Sequence, residues 1–236
     1  MDTAYTTLSR QSGLMNEMRL VANNIANANT TGYRAQGLVF SEFVRDMPGN
    51  PSLSMARAEV RNTSLQQGVL TETGGDFDFA IEGDGFFMVE TPAGNRLTRA
   101  GAFSPSAEGD LVTMDGHRVL DSNGAPVFVA PDAASIEVGS DGTLSIEGQL
   151  LGQLGVYRVE DPKTLVREGS TQFRSEGDVV PIEEPVIVHR FLEGSNVNAI
   201  EQVTRLVEIQ RAYELGQSFL ETEDERVRGA LKALMR

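Results

Sequence analysis

The stretch GDFDFAIEGDG places Asp76, Asp78, Glu82 and Asp84 within nine positions. Paired carboxylates are the groups that hydrolyse glycosidic bonds, one as general acid and the other as base or nucleophile. The surrounding sequence is acidic throughout, and carboxylates strung through a turn-rich acidic segment are usually a solvated face. The two histidines, His117 and His189, each stand beside an arginine and lack metal-ligand spacing. Residues Asp121 to Gly124, DSNG, lack the spacing and closing glutamate of a calcium loop. No GxSxG, P-loop or dinucleotide fingerprint occurs. With no cysteine there is neither a disulfide nor a thiolate metal site. These residues predict no enzyme and no cofactor, and an acidic wall-glycan hydrolase stays as the distant alternative.

A different chemistry is concentrated in NNIANANTTGYR, residues 23–34, where four of the seven positions from Asn23 to Asn29 are asparagine. Asparagine is a poor residue for a helix interior. Part of the pattern reads as a helix ending, with Gly32 as a C′ residue in the left-handed region. Asn23 and Asn24 lie a turn or more earlier. Beside the small residues Ala22, Ala26 and Ala28, their amides are suited to hydrogen bonding across closely packed helices. LEGSNVNAIEQ, residues 192–202, has the same character and offers Ser195 or Asn196 as a helix N-cap. QRAYE, residues 210–214, is an ordinary helical stretch on its own.

Proline and charge divide the elements that must hold these segments. All nine prolines fall between Pro48 and Pro185, leaving both chain ends free of the strongest helix breaker. The formal charge is −14, of which the middle of the chain carries −13. That balance excludes nucleic acid, which requires a basic face, and disfavours anionic membrane surfaces. No segment is long and apolar enough to cross a membrane. The spacing predicts an N-terminal helical segment over 1–45, an extended linker over 46–68, a β-rich domain over 69–190 and a C-terminal helix over 191–236. The β domain reads as an antiparallel sandwich or irregular barrel, with Asp115-Gly116, Asn123-Gly124 and Asp141-Gly142 as hairpin turns. Val203, Leu206, Gln210, Tyr213, Gln217, Leu220, Asp224, Val227, Leu231 and Leu234 continue a heptad-spaced seam from Ala199. A helix of about 40 residues would be roughly 60 Å long, more than the N-terminal helix can cover. The surplus calls for other copies, and head-to-tail contacts that do not close a ring build filaments.

ANNIANANTTGYR near the start and LEGSNVNAIEQ with IQRAYE near the end resemble the flagellar axial proteins of rod and hook. In the middle, DFAIEGDGFFMVE and LTRAGAFS are similar to that family's β-domain signature at Gly83, Gly85, Phe86, Phe87, Arg99 and Gly101. Tyr33 and Arg34 depart from the more usual phenylalanine and lysine, and His189-Arg190-Phe191 departs from a small-residue and tyrosine pattern. The opening MD with Tyr5, the short linker and LEGSNV look most like the proximal rod member; the distal rod and hook members are the alternative.

The resemblance implies a structural subunit of the basal-body rod, a shaft crossing the periplasm that transmits torque and encloses the export channel. Its long terminal helices are expected to pair in the assembled filament. Implied partners are other rod subunits, copies of itself and the flagellar type III export apparatus, with no nucleic acid and no membrane insertion. MDTAYTTLSRQSG lacks the features of a cleavable signal peptide, which suits that export route. Subunit contacts are expected at Ala22, Asn23, Asn24, Ile25, Asn27, Asn29, Thr31 and Gly32. At the other end they are expected at Leu192, Ser195, Asn196, Val197, Asn198, Val203, Leu206, Gln210, Arg211, Tyr213, Glu214 and Leu220. An adhesin with a trimerising stalk is a third reading, disfavoured by paired motifs at both chain ends.

Overall fold

A computed structural model describes residues 2–45, 53–130, 136–146 and 148–234. Two compact units emerge, each built from separated segments: Met1–Ala26, Gln36–Ser64 and Asn198–Arg236 in one, Asn27–Ala35 and Leu65–Val197 in the other.

The first unit holds two α-helices among the described residues, α1 (Asp2–Ala26) and α2 (Ala199–Leu234), and they pack together. They run antiparallel: Asn24 meets Gln202, Glu17 meets Arg205, and Gln11 lies against Gly216. With 25 residues against 36, α1 leaves the end of α2 uncovered. The inward face of α2 carries Gln202, Leu206, Ile209, Tyr213, Gly216, Leu220 and Glu223, with Ile209 fully buried. Heptad spacing is therefore present, but in a shifted phase. Leu206, Tyr213 and Leu220 lie on this face, whereas Val203, Gln210 and Gln217 are exposed. Ile209 supplies the most deeply buried apolar side chain of this face, and at Gly216 even a methyl would already touch Gln11, so the helices approach there.

The start of α2 also differs from expectation. Asn198, not Ser195 or Asn196, is the cap: its Oδ1 accepts from the N–H groups of Ile200 (3.2 Å) and Glu201 (3.3 Å), as an N-cap side chain does. Residues 36–45, expected within the helical segment, form strand β1 (Gln36–Arg45). It pairs antiparallel with β2 (Leu53–Thr63), which occupies much of the expected linker, and a bulge falls at Val39/Phe40. Val39, Phe40, Phe43 and Val44 favour strand over helix, and the absence of proline only permits a helix. Residues 46–52 lie outside the described residues.

The second unit is antiparallel β throughout its described ladders. In chain order its strands begin with β3 (Leu70–Glu72), β4 (Phe79–Glu82), β5 (Phe86–Thr91), β6 (Gly94–Thr98), β7 (Phe103–Pro105), β8 (Leu111–Thr113) and β9 (Arg118–Val119). They continue with β10 (Glu137–Val138), β11 (Thr143–Ile146), β12 (Gln149–Gln153) and β13 (Val156–Val159). The last are β14 (Leu165–Glu168), β15 (Gln172–Ser175), β16 (Val179–Pro181), β17 (Val186–His189) and β18 (Phe191–Glu193). The main sheet runs β14-β15-β6-β5-β9-β8-β7, and β13 joins β5 to β16. One edge of β5 is shared, with β13 pairing at Phe86 and Phe87 and β9 at Val89 and Glu90.

That central strand separates two cores. Phe87 and Val89 point into a cluster with Phe79, Phe103, Leu111, Leu144, Leu154 and Ile187. Phe86 and Met88 belong to a second cluster with Leu97, Tyr157, Val159 and Phe173. The period-two alternation of FFMV is thus used on both faces. β18 closes against β3, Phe191 opposite Glu72, so LEG enters a strand before α2 begins.

Candidate functional site

Asn24 is buried at 1% exposure, and its amide behaves as a piece of strand backbone. Oδ1 accepts from the N–H of Gln36 (3.0 Å), and Nδ2 donates to the C=O of Gln36 (2.8 Å) and to Oε1 of Gln202 (3.2 Å). One side chain joins α1, β1 and α2. A buried amide is stable only when its groups find partners in this way. Two turns earlier, Glu17 accepts from Nε (2.8 Å) and Nη2 (2.5 Å) of Arg205, a two-pronged pair across the helices.

In the β unit, the segment after α1 ends in a side-chain-stabilised turn. The Thr30 N–H donates to the Asn27 C=O (3.1 Å), and its hydroxyl donates to Asn27 Oδ1 (3.2 Å). These local bonds compete with helix, so α1 stops at Ala26 and Gly32 is not its C′ residue. Gly32 does take a positive φ, 70°. A Cβ there would lie 2.2 Å from the Ala100 backbone nitrogen, so the residue must be glycine for close approach as well as for backbone angle. Its N–H donates to the C=O of Glu193 (2.8 Å).

Behind this turn lies a buried charge lock. Glu193 Oε1 accepts from Arg34 Nη1 (2.7 Å) and the Gly68 N–H (2.8 Å), and Oε2 accepts from Arg99 Nη1 (3.0 Å). Arg99 Nη2 also donates to the Gly83 C=O (2.6 Å), and Arg34 Nη1 to the Gln66 C=O. Burial pushes Arg34 down to about 10, with Glu193 pulling it back up; burial likewise lowers Arg99. Asp84 adds a further attraction to both arginines, and two guanidinium groups meet one carboxylate in this trio. Beside it, Arg167 is sandwiched between the rings of Tyr33 and Phe173, each 4.6 Å away. Tyr33, Arg34 and Glu193 thus fasten two distant chain segments to the sheet. Sequence reading noted Arg34 only as a departure and missed its pairing; the available signal was a glutamate and two arginines embedded in apolar and glycine-rich motifs.

The expected contact residues divide by exposure. Ala22, Asn23, Asn29, Asn198, Val203, Gln210, Arg211 and Glu214 are exposed. Ile25, Asn27, Thr31, Leu192, Ser195, Val197, Leu206, Tyr213 and Leu220 are half-buried, while Asn24 and Gly32 are buried. Asn196 is tied within the β unit, its Oδ1 accepting from the Ala35 N–H (2.6 Å) and its Nδ2 donating to the Gln66 C=O (2.7 Å). On the helices, Val203, Val207, Leu215, Phe219, Val227 and Leu231 form an uncovered apolar set. Leu215 and Phe219 line a groove of about 370 Å³ with Leu14 and Gly216.

Two members of the acidic quartet have structural partners. Asp76 Oδ1 accepts from Arg190 Nη2 (2.7 Å), and Asp78 Oδ2 accepts from the Thr73 hydroxyl (2.5 Å). Glu82 and Asp84 are exposed. Among the described residues, no group of His, Asp and Glu is set to hold a metal.

These features define a protein with one antiparallel β unit and one unit in which α1 and α2 pair antiparallel. Three family models match it: "Flagella basal body rod protein" over residues 1–34, "Flagellar hook protein FlgE/F/G D1 domain" over 80–146, and "Flagellar basal body rod FlgEFG protein C-terminal" over 188–232. The chain is 39% identical over 216 residues to the flagellar basal-body rod protein FlgF of Mesorhizobium japonicum, covering 90% of this chain and 89% of the relative. It is 36% identical to FlgF of Caulobacter vibrioides, covering 99% and 98%. To the rod protein FlgG of Bacillus subtilis it is 30% identical, covering 94% of each. The chain belongs to the flagellar basal-body rod protein family.

Proposed function

We propose that this chain is a structural, non-enzymatic subunit of the bacterial flagellar rod, in its proximal part. Copies polymerise with other rod subunits through the terminal helices into the shaft that transmits torque and encloses the export channel. In this reading the protein is exported through the flagellar type III apparatus and stands where the rod crosses the periplasm. The exposed positions Ala22, Asn23, Val203, Gln210, Arg211 and Glu214 meet neighbouring subunits, while Asn24 and Gly32 act by shaping the surfaces that do so.

The observation that carries this reading is the apolar set left uncovered on α2 in a chain of this family. Covering a half-exposed aliphatic side chain contributes about 1 kcal/mol, so six contribute roughly 6 kcal/mol. Association costs on the order of 4 to 15 kcal/mol in lost freedom. A single such contact is too weak for a stable dimer, and a lattice with several neighbours is not.

Replacing Val227 and Leu231 with aspartate tests the proposal. The β unit should melt unchanged and the protein should still be exported, but it should be missing from isolated basal bodies; normal incorporation would refute the polymer role of α2. The distal rod is a second reading, supported by the likeness to the rod protein FlgG of Bacillus subtilis described above. Immunogold labelling of basal bodies separates the two by position along the shaft.

A further inference from the structure

We infer that a recess beside the charge lock is a binding site for a carboxylate. The cavity, about 190 Å³, is lined by Arg34, Arg99, Arg158 and Asp84, with Leu65 and Phe86 among its apolar walls. Three arginines and one acidic residue line it, in a chain whose formal charge is −14. Glu193 and Asp84 both act on Arg34 and Arg99, so the positive charge left over at the recess is that of Arg158. Arg34 and Arg99 are 1% and 3% exposed, and among the described residues the Nε–H of each meets no acceptor. A buried donor left unsatisfied is costly, and a carboxylate offers acceptor sites on two oxygens.

Size and wall chemistry narrow the guest. The volume suits one side chain rather than a nucleotide, and the apolar walls suit an alkyl shoulder behind the charge. Exposed Arg158 draws the guest in, whereas exposed Asp84 opposes it. The matching chemistry is an acidic side chain of a neighbouring subunit or a free short-chain carboxylate.

The test is a ligand-observed NMR titration of the full-length protein with sodium butyrate at constant ionic strength, with butyramide as the neutral isostere. Butyrate should bind and butyramide should bind about tenfold or more weakly, as expected from loss of charge-assisted hydrogen bonds. Arg158→Glu should weaken butyrate by about tenfold with an unchanged thermal melt, and Asp84→Asn should tighten it. Lys232→Glu, an equal charge change on α2, should leave it unaltered. Absence of butyrate binding, equal binding of butyramide, or equal effects of the two charge reversals would overturn the inference. The source is read in cells and rests on the rod reading. Exported Arg158→Glu protein missing from basal bodies identifies a neighbour's side chain, and normal incorporation identifies a free carboxylate. The butyrate titration stands whether or not the rod reading does.

Discussion

Glu193 shows how much one side chain can decide in a chain of 236 residues. Glu193→Gln leaves buried Arg34 and Arg99 with only exposed Asp84 as a counter-charge, and breaking a buried pair from one side costs about 3 to 5 kcal/mol. Arg34→Met removes the surplus cation instead and leaves the Arg99–Glu193 pair intact, so its cost should be distinctly smaller. Urea unfolding of both variants, followed by the β signal, should give that order; the reverse order would mean that Glu193 is not the hub. Glu168 contributes a sensitivity to acid. Hydrogen bonds from Arg96 and then Arg174 hold Glu168 below the ordinary glutamate range. A folded value lower than the unfolded one gives stability that is present above the unfolded pKa and lost as pH falls through the folded one. The melting temperature should therefore decline below about pH 4.5, and Glu168→Gln should flatten the profile in that window.

Among the elements, α1, β1 and α2 depend on the Asn24 amide. Asn24→Asp keeps the acceptor for the Gln36 N–H but loses both donors, at a cost of about 1 to 3 kcal/mol for a buried group left unsatisfied. Amide exchange should accelerate at Gln36 and around Gln202, with the β unit unaffected. In the unmodified protein, exchange along α2 should be slow over the part facing α1, from Gln202 to Leu220, and fast from Asp224 to Leu234. Uniform protection would mean that the uncovered end is held by something else. Much of this was legible in the sequence. Gly116, Gly124 and Gly142 take the positive φ that their turn pairs require, 81°, 81° and 82°, and the alternation in FFMV reads directly as a two-faced strand. The helix pair was legible in spacing but not in phase, because Val203 and Gln202 are equally permitted by a heptad pattern until a partner selects one. The β1–β2 hairpin was hidden because proline-free sequence says only that helix is allowed. The lock was hidden because ion pairing over about 160 residues leaves no local signature.

At the scale of the whole molecule, the β unit needs more chain than its strands alone. Residues 65–197 keep Gly68 and Glu193 and retain the β3–β18 ladder, whereas 69–190 lacks the partner of β3 and leaves Arg99 without its carboxylate. The longer fragment should melt cooperatively at a higher temperature than the shorter one, and a shorter fragment of equal stability would mean that the lock contributes nothing. The helical unit is more dispersed still, since its cross-links join residues 178 and 188 positions apart. Closing so long a loop is slow, and almost the entire β unit lies inside it. A chain that becomes available from its N-terminus, by synthesis or by threading, can therefore complete its sheets while α1 still has nothing to pair with. The apolar side chains left uncovered on α2 gain their place beside α1 only once residues Ala199–Leu234 arrive, so that surface forms after the sheets do.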